Sequence, residues 1–388
     1  MTLSRRHATY LAFALAAIAF YLTVPPITLR TPVVSIVLAL GAIGLGAWAV
    51  AGGEKRLGWA AAVAGVLAIV LALVLTNRSK SDLEQVFVWG ALAAAMLRYA
   101  TPLLFPALGG VVSERAGVVN IGLEGMLLVG AFFGAWGGDV TGSWVLGVII
   151  AMVAGGAFGL IHATFSVSLN ADQIVSGTAI NFLGLGATGY LFIKIYGDQG
   201  TPSDLPTIPS ITLPIGGIPF FGDMLRQQNL LVWVSLLLVV LITIYLFRTP
   251  AGLRHRAVGE NPLAADTAGI SVTRIRYLAV IASGVLAAMG GAFLSIGFVN
   301  SFNQGMSAGR GFIALAAVIF GRWHPRGALL ACLLFGFSSA LAQRLPAFSD
   351  TAAVLFQALP YVLTLVAVAG LVGRSRPPAA DGLPYERH

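Results

Sequence analysis

Cysteine and lysine are nearly absent from this sequence: of 388 residues one is Cys, and the lysines are Lys55, Lys80 and Lys194 alone. The lone Cys332, inside "ALLACLLFGF", excludes an internal disulfide and a thiolate-held metal cluster and reads as packing material. The lysines follow Glu54, Ser79 and Ile193, so none completes the G-x-x-x-x-G-K-[ST] loop whose backbone amides cradle phosphates. The histidines (His7, His162, His255, His324 and His388) are scattered. There is no H-E-x-x-H and no His pair on one helix face, which leaves no metal site and no nucleophile–base pairing. Charge is scarce as well: 10% of residues are charged, against about 25% in an average soluble domain. Such a chain cannot cover itself with water-compatible side chains.

What fills the sequence is apolar, 57% of residues, with a mean hydropathy of +0.88. Runs such as 9–24, 57–76 and 229–247 approach the roughly 20 residues that a bilayer core needs. The expected fold is all-α, a polytopic transmembrane helix bundle of about 10–12 spans. The spans are expected at 9–29, 33–51, 57–76, 87–112, 118–137, 143–168, 174–196, 229–247, 277–299, 308–321, 327–343 and 352–373, the fourth and tenth being the least sharply marked. An alternative for the fourth lays 81–97 in the interface, with a shorter crossing from Tyr99. At the start, "MTLSRRHATYLAFALAAIAFYLTV" competes as a signal peptide, but no A-x-A-like site ends the run and more spans follow. Of the Lys and Arg residues, fifteen fall in segments assigned to the inside and six outside, which places both termini in the cytoplasm. The net charge of +8 therefore reads as cytoplasmic loops facing lipid headgroups and not as a nucleic-acid surface. The stretch 198–228 is rich in Pro and Gly and reads as an external loop, and the tail 374–388 as disordered. "GAFFG" (130–134) and "GGAFG" (155–159) have the small-xxx-small spacing of tightly packed membrane helices.

Against this background "GENPLAADTAGI" (259–270) is written like the surface of a soluble helix. Asn261 suits an N-cap, Pro262 the first helical position and Gly269 a left-handed stop. Leu263 and Ala264 would face a partner and Asp266 water. A helix this short is marginal alone, so it needs something to dock against. In "SERAGVVNIGLEGM", Asn120 and Glu124 are four apart and share one helix face. A carboxylate at that depth is costly unless paired or wetted, and it serves either as a structural cap or in a translocation path. Gln173, Gly177, Asn181, Gly184 and Thr188 recur on one face of the next expected helix but one, to line a pore or to pack on a neighbour. Phe298 and Phe302 near the outer face offer aromatic surfaces on which a base could stack. Arg322, Trp323 and Arg326 fit an interface belt.

The stretch "AVGENPLAADTAGISVTRIRYLAVIASGVLAAMGGAFL" resembles the cytoplasmic loop and following helix of ABC-importer permeases, in the branch serving branched-chain amino acids, ribose-type sugars and nucleosides. Ala257, Gly259, Asn261, Ala264, Ala265, Gly269 and Ile270 fill that family's pattern. "SERAGVVNIGLEGMLLVGAFFGAW" is most similar to a permease subunit of nucleoside importers, and "NQGMSAGRGFIALAAVIFGRWHPRGALLACLLFGF" also resembles the family. The resemblance covers roughly 81–373 and leaves 1–80 as additional N-terminal transmembrane helices. It implies a bacterial inner-membrane subunit that translocates substrate by alternating access and does no covalent chemistry. The coupling helix would be held by Gly259, Asn261, Pro262, Leu263, Ala264, Ala265, Asp266 and Gly269; the substrate path would draw on Asn120, Glu124, Gln173, Asn181, Phe298 and Phe302. Implied partners are an ABC ATPase subunit binding ATP-Mg, a second homologous permease (or a second copy), and an extracytoplasmic binding protein or lipoprotein. The nucleoside cargo rests on the resemblance alone. Branched-chain amino acids or simple sugars remain alternatives, as do an ion-coupled carrier built on Glu124, Lys194 and Arg98, or a scaffold that transports nothing.

Overall fold

Backbone N–H and C=O groups in lipid must be satisfied within the chain, so an apolar sequence of this length resolves into helices. The computed structural model describes residues 5–24, 31–75, 88–215, 218, 221–344, 354, 357–358 and 376–385. Among them, residues up to Leu92 with 341–344 and Val354 form one compact unit, and 93–340 with 357–358 and 376–385 a second.

In the first unit, α1 (Arg5–Tyr21), α2 (Val33–Ala51) and α3 (Lys55–Leu75) pack on one another through small residues. Ala12, Ala16, Ala42 and Ala61 form one buried seam, and a Cβ on Gly46 would meet the Gly58 carbonyl at 2.7 Å. Large residues such as Val37, Trp59 and Leu67 point outward, the inverse of a soluble bundle and the pattern lipid accepts.

The second unit holds α4 (Trp89–Arg115) from Ala93 onward, α5 (Leu123–Thr141), α6 (Trp144–Ala163), α7 (Gln173–Tyr196), α8 (Phe221–Leu225), α9 (Leu230–Arg248), α10 (Pro250–Glu260), α11 (Pro262–Thr267), α12 (Val272–Ala292), α13 (Arg310–Phe320) and α14 (Pro325–Arg344) as far as Ala340. Helices α6 and α12 continue as π turns, Thr164–Ser168 and Phe293–Val299. The buried α5 sits among α6, α7 and α12. Its Gly130 lies where any Cβ would collide with the Ala288 backbone, and a Cβ on Gly159 of α6 would meet the Val280 carbonyl of α12 at 2.8 Å. Both small-xxx-small motifs are thus close helix crossings. In the loop between α7 and α9, β1 (Ser210–Thr212) pairs antiparallel with β2 (Gln227–Asn229), Ser210 opposite Asn229. Asn229 then caps α9, accepting from the Leu231 amide at 2.9 Å, and donates to the Ile208 and Gly297 carbonyls.

Seven helices among the described residues are long and apolar enough to cross a membrane: α2, α4, α6 with its π turn, α7, α9, α12 with its π turn, and α14. The chain is a multi-pass membrane protein with an all-α bundle. Several expected segments differ in detail. The fourth runs as a helix from Trp89 through Pro102 and Pro106, and 81–87 lie outside the described residues. The fifth begins at Leu123 and not at 118, because 116–122 are unwound. The tenth is a half-helix: the 11 residues of α13, at about 1.5 Å each, reach about half of a bilayer core. Ala308 and Gly309 before it, and Arg322 and Trp323 after it, have positive φ, so the chain turns sharply at both ends. The twelfth, 352–373, falls outside the described residues save Val354, Gln357 and Ala358. The tail is a correction: 376–385 are ordered, because the Ala380 amide donates to the Gly259 carbonyl at 2.9 Å and Arg276 donates to the Leu383 carbonyl at 2.9 Å. Trp323 is a second correction, since it is buried and its indole N–H donates to Glu114.

Candidate functional site

Two unwound stretches meet inside the second unit. The first follows α4. Gly117, at φ +85°, lets the chain reverse, and Ser113 Oγ donates to the Val118 carbonyl at 2.6 Å. Side chains from other helices then take up the exposed backbone, as membrane burial demands. Gln173 Oε1 accepts the Val119 amide at 2.8 Å, while a His162 ring nitrogen lies 3.1 Å from the Val119 carbonyl. Asn181 donates to the Ile121 carbonyl at 2.9 Å and accepts the Gly125 amide at 2.8 Å. Asn120 donates to Ser283 Oγ at 2.9 Å. Gly177 and Gly184 approach Gly122 and Gly125 so closely that a side chain would not fit. The polar stripe of α7 is therefore the packing surface that holds the break.

The second stretch precedes α13. Its first amides have no partner in their own helix, and the helix dipole adds positive potential there. Glu124 supplies the acceptor: Oε1 takes the Gly309 amide at 2.7 Å and Oε2 the Gly311 amide at 2.6 Å. The carboxylate also lies in the first turn of its own helix, so two helix N-termini share one negative charge. Glu124 and Asn181 line a cavity of about 280 Å³ with Thr178, Phe182, Ser307 and Phe312. Phe182 and Phe312 are 70% and 50% exposed, so the cavity has aromatic walls open to a neighbour.

Of the six path candidates, only Glu124 and Asn181 reach this cavity. Asn120 and Gln173 are buried in support of the first break. Phe302 is 1% exposed and packs edge-on to Phe132, which removes it from base stacking in this structure. Phe298 packs edge-on to Tyr99 and parallel to Phe293. Sequence reading missed Thr178, Phe182, Ser307 and Phe312. The available signal was the Gly-rich turn at 305–311, which marks the mouth of a half-helix. A larger apolar cavity of about 760 Å³ opens between α6, α9 and α12, lined by residues such as Met152, Leu238 and Leu286.

The capped helix α11 (Pro262–Thr267) sits close to the first break. Asn261 Oδ1 accepts the Ala264 amide at 3.0 Å, Pro262 takes the first helical position, and Gly269 turns out at φ +77°. The Ile270 amide returns to the Ala265 carbonyl at 3.0 Å, closing the C-terminus in a Schellman-like turn. Ala265 faces inward against Val258 and Val272. Leu263 is 55% exposed and Ala264 is exposed beside it; Asp266 is half-buried. Gly259 meets the Arg115 carbonyl so closely that a Cβ would collide. Arg115, in turn, donates through Nε to the Trp323 carbonyl at 2.8 Å, tying the end of α4 to the end of α13. The Arg115 and Arg256 guanidinium groups lie 5.6 and 5.0 Å from the Phe247 ring. His255 is pushed below its ordinary pKa by burial, with the Val112 carbonyl opposing and Arg115 adding to the shift, so it is neutral at pH 7. An unbroken series of packed groups thus leads from α11 through Gly259 and Arg115 to Glu124 and the cavity.

Broken helices meeting at a small cavity that holds a carboxylate, joined to a capped surface helix, define a membrane protein of the transport class. Residues 92–368 match the family described as branched-chain amino acid transport system / permease component, and the chain belongs to that family. It is 44% identical to the guanosine ABC transporter permease protein NupQ of Bacillus subtilis over 75% of this chain and 95% of that one. It is 39% identical to the nucleoside ABC transporter permease protein NupC of Lactococcus lactis subsp. cremoris over 76% of this chain and 96% of that one. It is also 28% identical to the guanosine ABC transporter permease protein NupP of Bacillus subtilis over 62% and 70% of the two chains. No solved structure matches the chain.

Proposed function

We propose that this chain is one transmembrane subunit of an ATP-driven nucleoside importer, in a bacterial inner membrane with both termini in the cytoplasm. The observation that carries this reading is α11: a doubly capped helix that shows Leu263 and Ala264 outward while Ala265 roots it to the bundle. A separate ATPase subunit, holding ATP-Mg, grips that face. Its closure on ATP moves α11, and the packed series through Gly259 and Arg115 carries the movement to the two helix breaks. The cavity between Glu124, Asn181, Phe182 and Phe312 then changes access from one side to the other. The exposed aromatic walls call for a second permease subunit to complete the path. NupP and NupQ, two guanosine permease proteins of one organism, are both similar to this chain, which favours a homologous pair. An extracytoplasmic binding protein or lipoprotein delivers substrate.

An ion-coupled carrier has less support. Arg98 and Lys194 are exposed, and both Glu124 oxygens are occupied by backbone amides. The test is uptake of labelled nucleoside into vesicles containing the assembled transporter. Uptake is expected to require ATP, to survive collapse of proton and sodium gradients, and to be competed by other nucleosides. Uptake that follows an ion gradient without ATP would overturn the reading; competition by pentoses or leucine alone would move the cargo to sugars or amino acids.

A further inference from the structure

The segment 376–385, "RPPAADGLPY", folds back onto the cytoplasmic end of the second unit. Two turns shape it: the Asp381 amide donates to the Pro378 carbonyl at 3.1 Å and the Leu383 amide to the Ala380 carbonyl at 3.2 Å, with Gly382 at φ +77°. It fastens at three points. The Ala380 amide bonds to the Gly259 carbonyl on α10. The Leu383 carbonyl accepts from Arg276 Nη1 on α12. Tyr385 packs against the cluster of Val258, Ala265 and Val272, and Ala265 is the residue by which α11 is rooted.

Beneath the segment lies a buried charged cluster. Arg276 is wholly buried, and its Nε and Nη2 have no hydrogen-bond partner among the described residues. The Leu383 carbonyl is the one acceptor its guanidinium has there, so removing the segment would leave a buried cation bare. Asp381 Oδ1 and Glu114 Oε1 are also buried with no hydrogen-bond partner among the described residues. Asp381 thus lies within electrostatic reach of both the Arg276 guanidinium and the Glu114 carboxylate.

We propose that residues 376–385 are a cytoplasmic clasp that seats α11 on the membrane bundle, so that the force on α11 reaches the helix breaks instead of being lost in local movement. This rests on α11 being the coupling helix.

A pH dependence follows. Burial raises Asp381 from 3.8 to about 7, against the lowering pull of Arg276 and of the Gly382 amide. The charged and titratable groups around it are Arg276 from α12, which also faces Tyr385, and Glu114 from α4. Helices α10 and α11 meet the segment through Gly259 and Ala265, which carry no charge. A carboxyl whose docked pKa is raised favours docking fully below its free value, and that contribution is lost as pH rises through about 7. The clasp therefore loosens progressively between about pH 4 and pH 7.

The test pairs amide exchange at Ala380 with the ATP hydrolysed per nucleoside imported, in the assembled transporter. In the wild type the Ala380 amide is expected to exchange at least about a hundredfold more slowly than in a free peptide of the same sequence. Tyr385→Ala and Asp381→Arg, which puts a second cation against Arg276, should each speed that exchange about tenfold or more and raise the ATP cost per nucleoside about threefold. Asp381→Asn should stay protected and lose the pH dependence, and Arg376→Ala, at an exposed position, should match the wild type. A wild-type Ala380 amide exchanging as fast as the free peptide would overturn the clasp. So would Tyr385→Ala releasing the segment with an unaltered ATP cost. If disrupting the α11 caps left uptake intact while Ala380 stayed protected, the coupling reading would fall and the docking would stand by itself.

Discussion

Replacing Asn261 with Leu and Pro262 with Gly is expected to leave ATP hydrolysis running while nucleoside uptake falls at least about tenfold. The N-cap is worth about 1 kcal/mol, and proline adds stability by restricting the unfolded chain. Helix α11 has six residues and no length over which to absorb that loss. A frayed α11 would still touch the ATPase but could not push on Gly259 and Arg115 as a solid body. The check is uptake and ATP hydrolysis measured on the same vesicles, with membrane levels of the variant matched to the wild type. Uptake and hydrolysis that fall together would indicate lost assembly, and unchanged uptake would remove α11 from the mechanism.

The second large effect is expected at Glu124. Each hydrogen bond that its carboxylate accepts from a backbone amide is charge-assisted and worth about 1.5–3 kcal/mol, and there are two, from Gly309 and Gly311. Glu124→Ala removes both acceptors and leaves the mouth of α13 uncapped at membrane depth, so uptake should fall about a hundredfold or more. Glu124→Gln keeps one carbonyl acceptor and forfeits the charge that two helix N-termini share; about a tenfold loss is expected. Both should insert normally, since the bundle core on α5 is unaltered. The graded order, Ala worse than Gln worse than Glu, distinguishes a clamp on α13 from a group that only meets substrate. Wild-type uptake by Glu124→Gln would return the carboxylate to a purely structural place.

What could be read from the sequence was local. Asn261, Pro262 and Gly269 act within one turn of their own positions, so their caps are visible in the letters, and the structure places them so. The helix face shared by Gln173, Gly177, Asn181, Gly184 and Thr188 is likewise a matter of spacing. What that face touches was not legible, because its partners, Val119 to Gly125, lie more than fifty residues away. Glu124 shows the same limit: its donors stand 185 and 187 positions downstream. The tail misled by composition. Proline and polar residues read as disorder, yet Ala380 and Leu383 find a carbonyl and a buried guanidinium from α10 and α12. Phe298 and Phe302 could not be told from the other phenylalanines until aromatic neighbours enclosed them. The half-helix α13 was in reach, since glycines at both ends of a short apolar run leave too few residues for a full crossing.

The most direct measurement is thiol labelling at Leu263→Cys with a membrane-impermeant maleimide. The native Cys332 is buried and stays silent, so the signal reports α11 alone. In inside-out vesicles the site should label readily when the chain is present without its ATPase. Labelling should slow at least about tenfold once the ATPase subunit is co-assembled, as burial of a contact residue demands. Labelling from the outer face, or an unchanged rate in the complete transporter, would contradict the claim that a nucleotide-driven partner grips this helix.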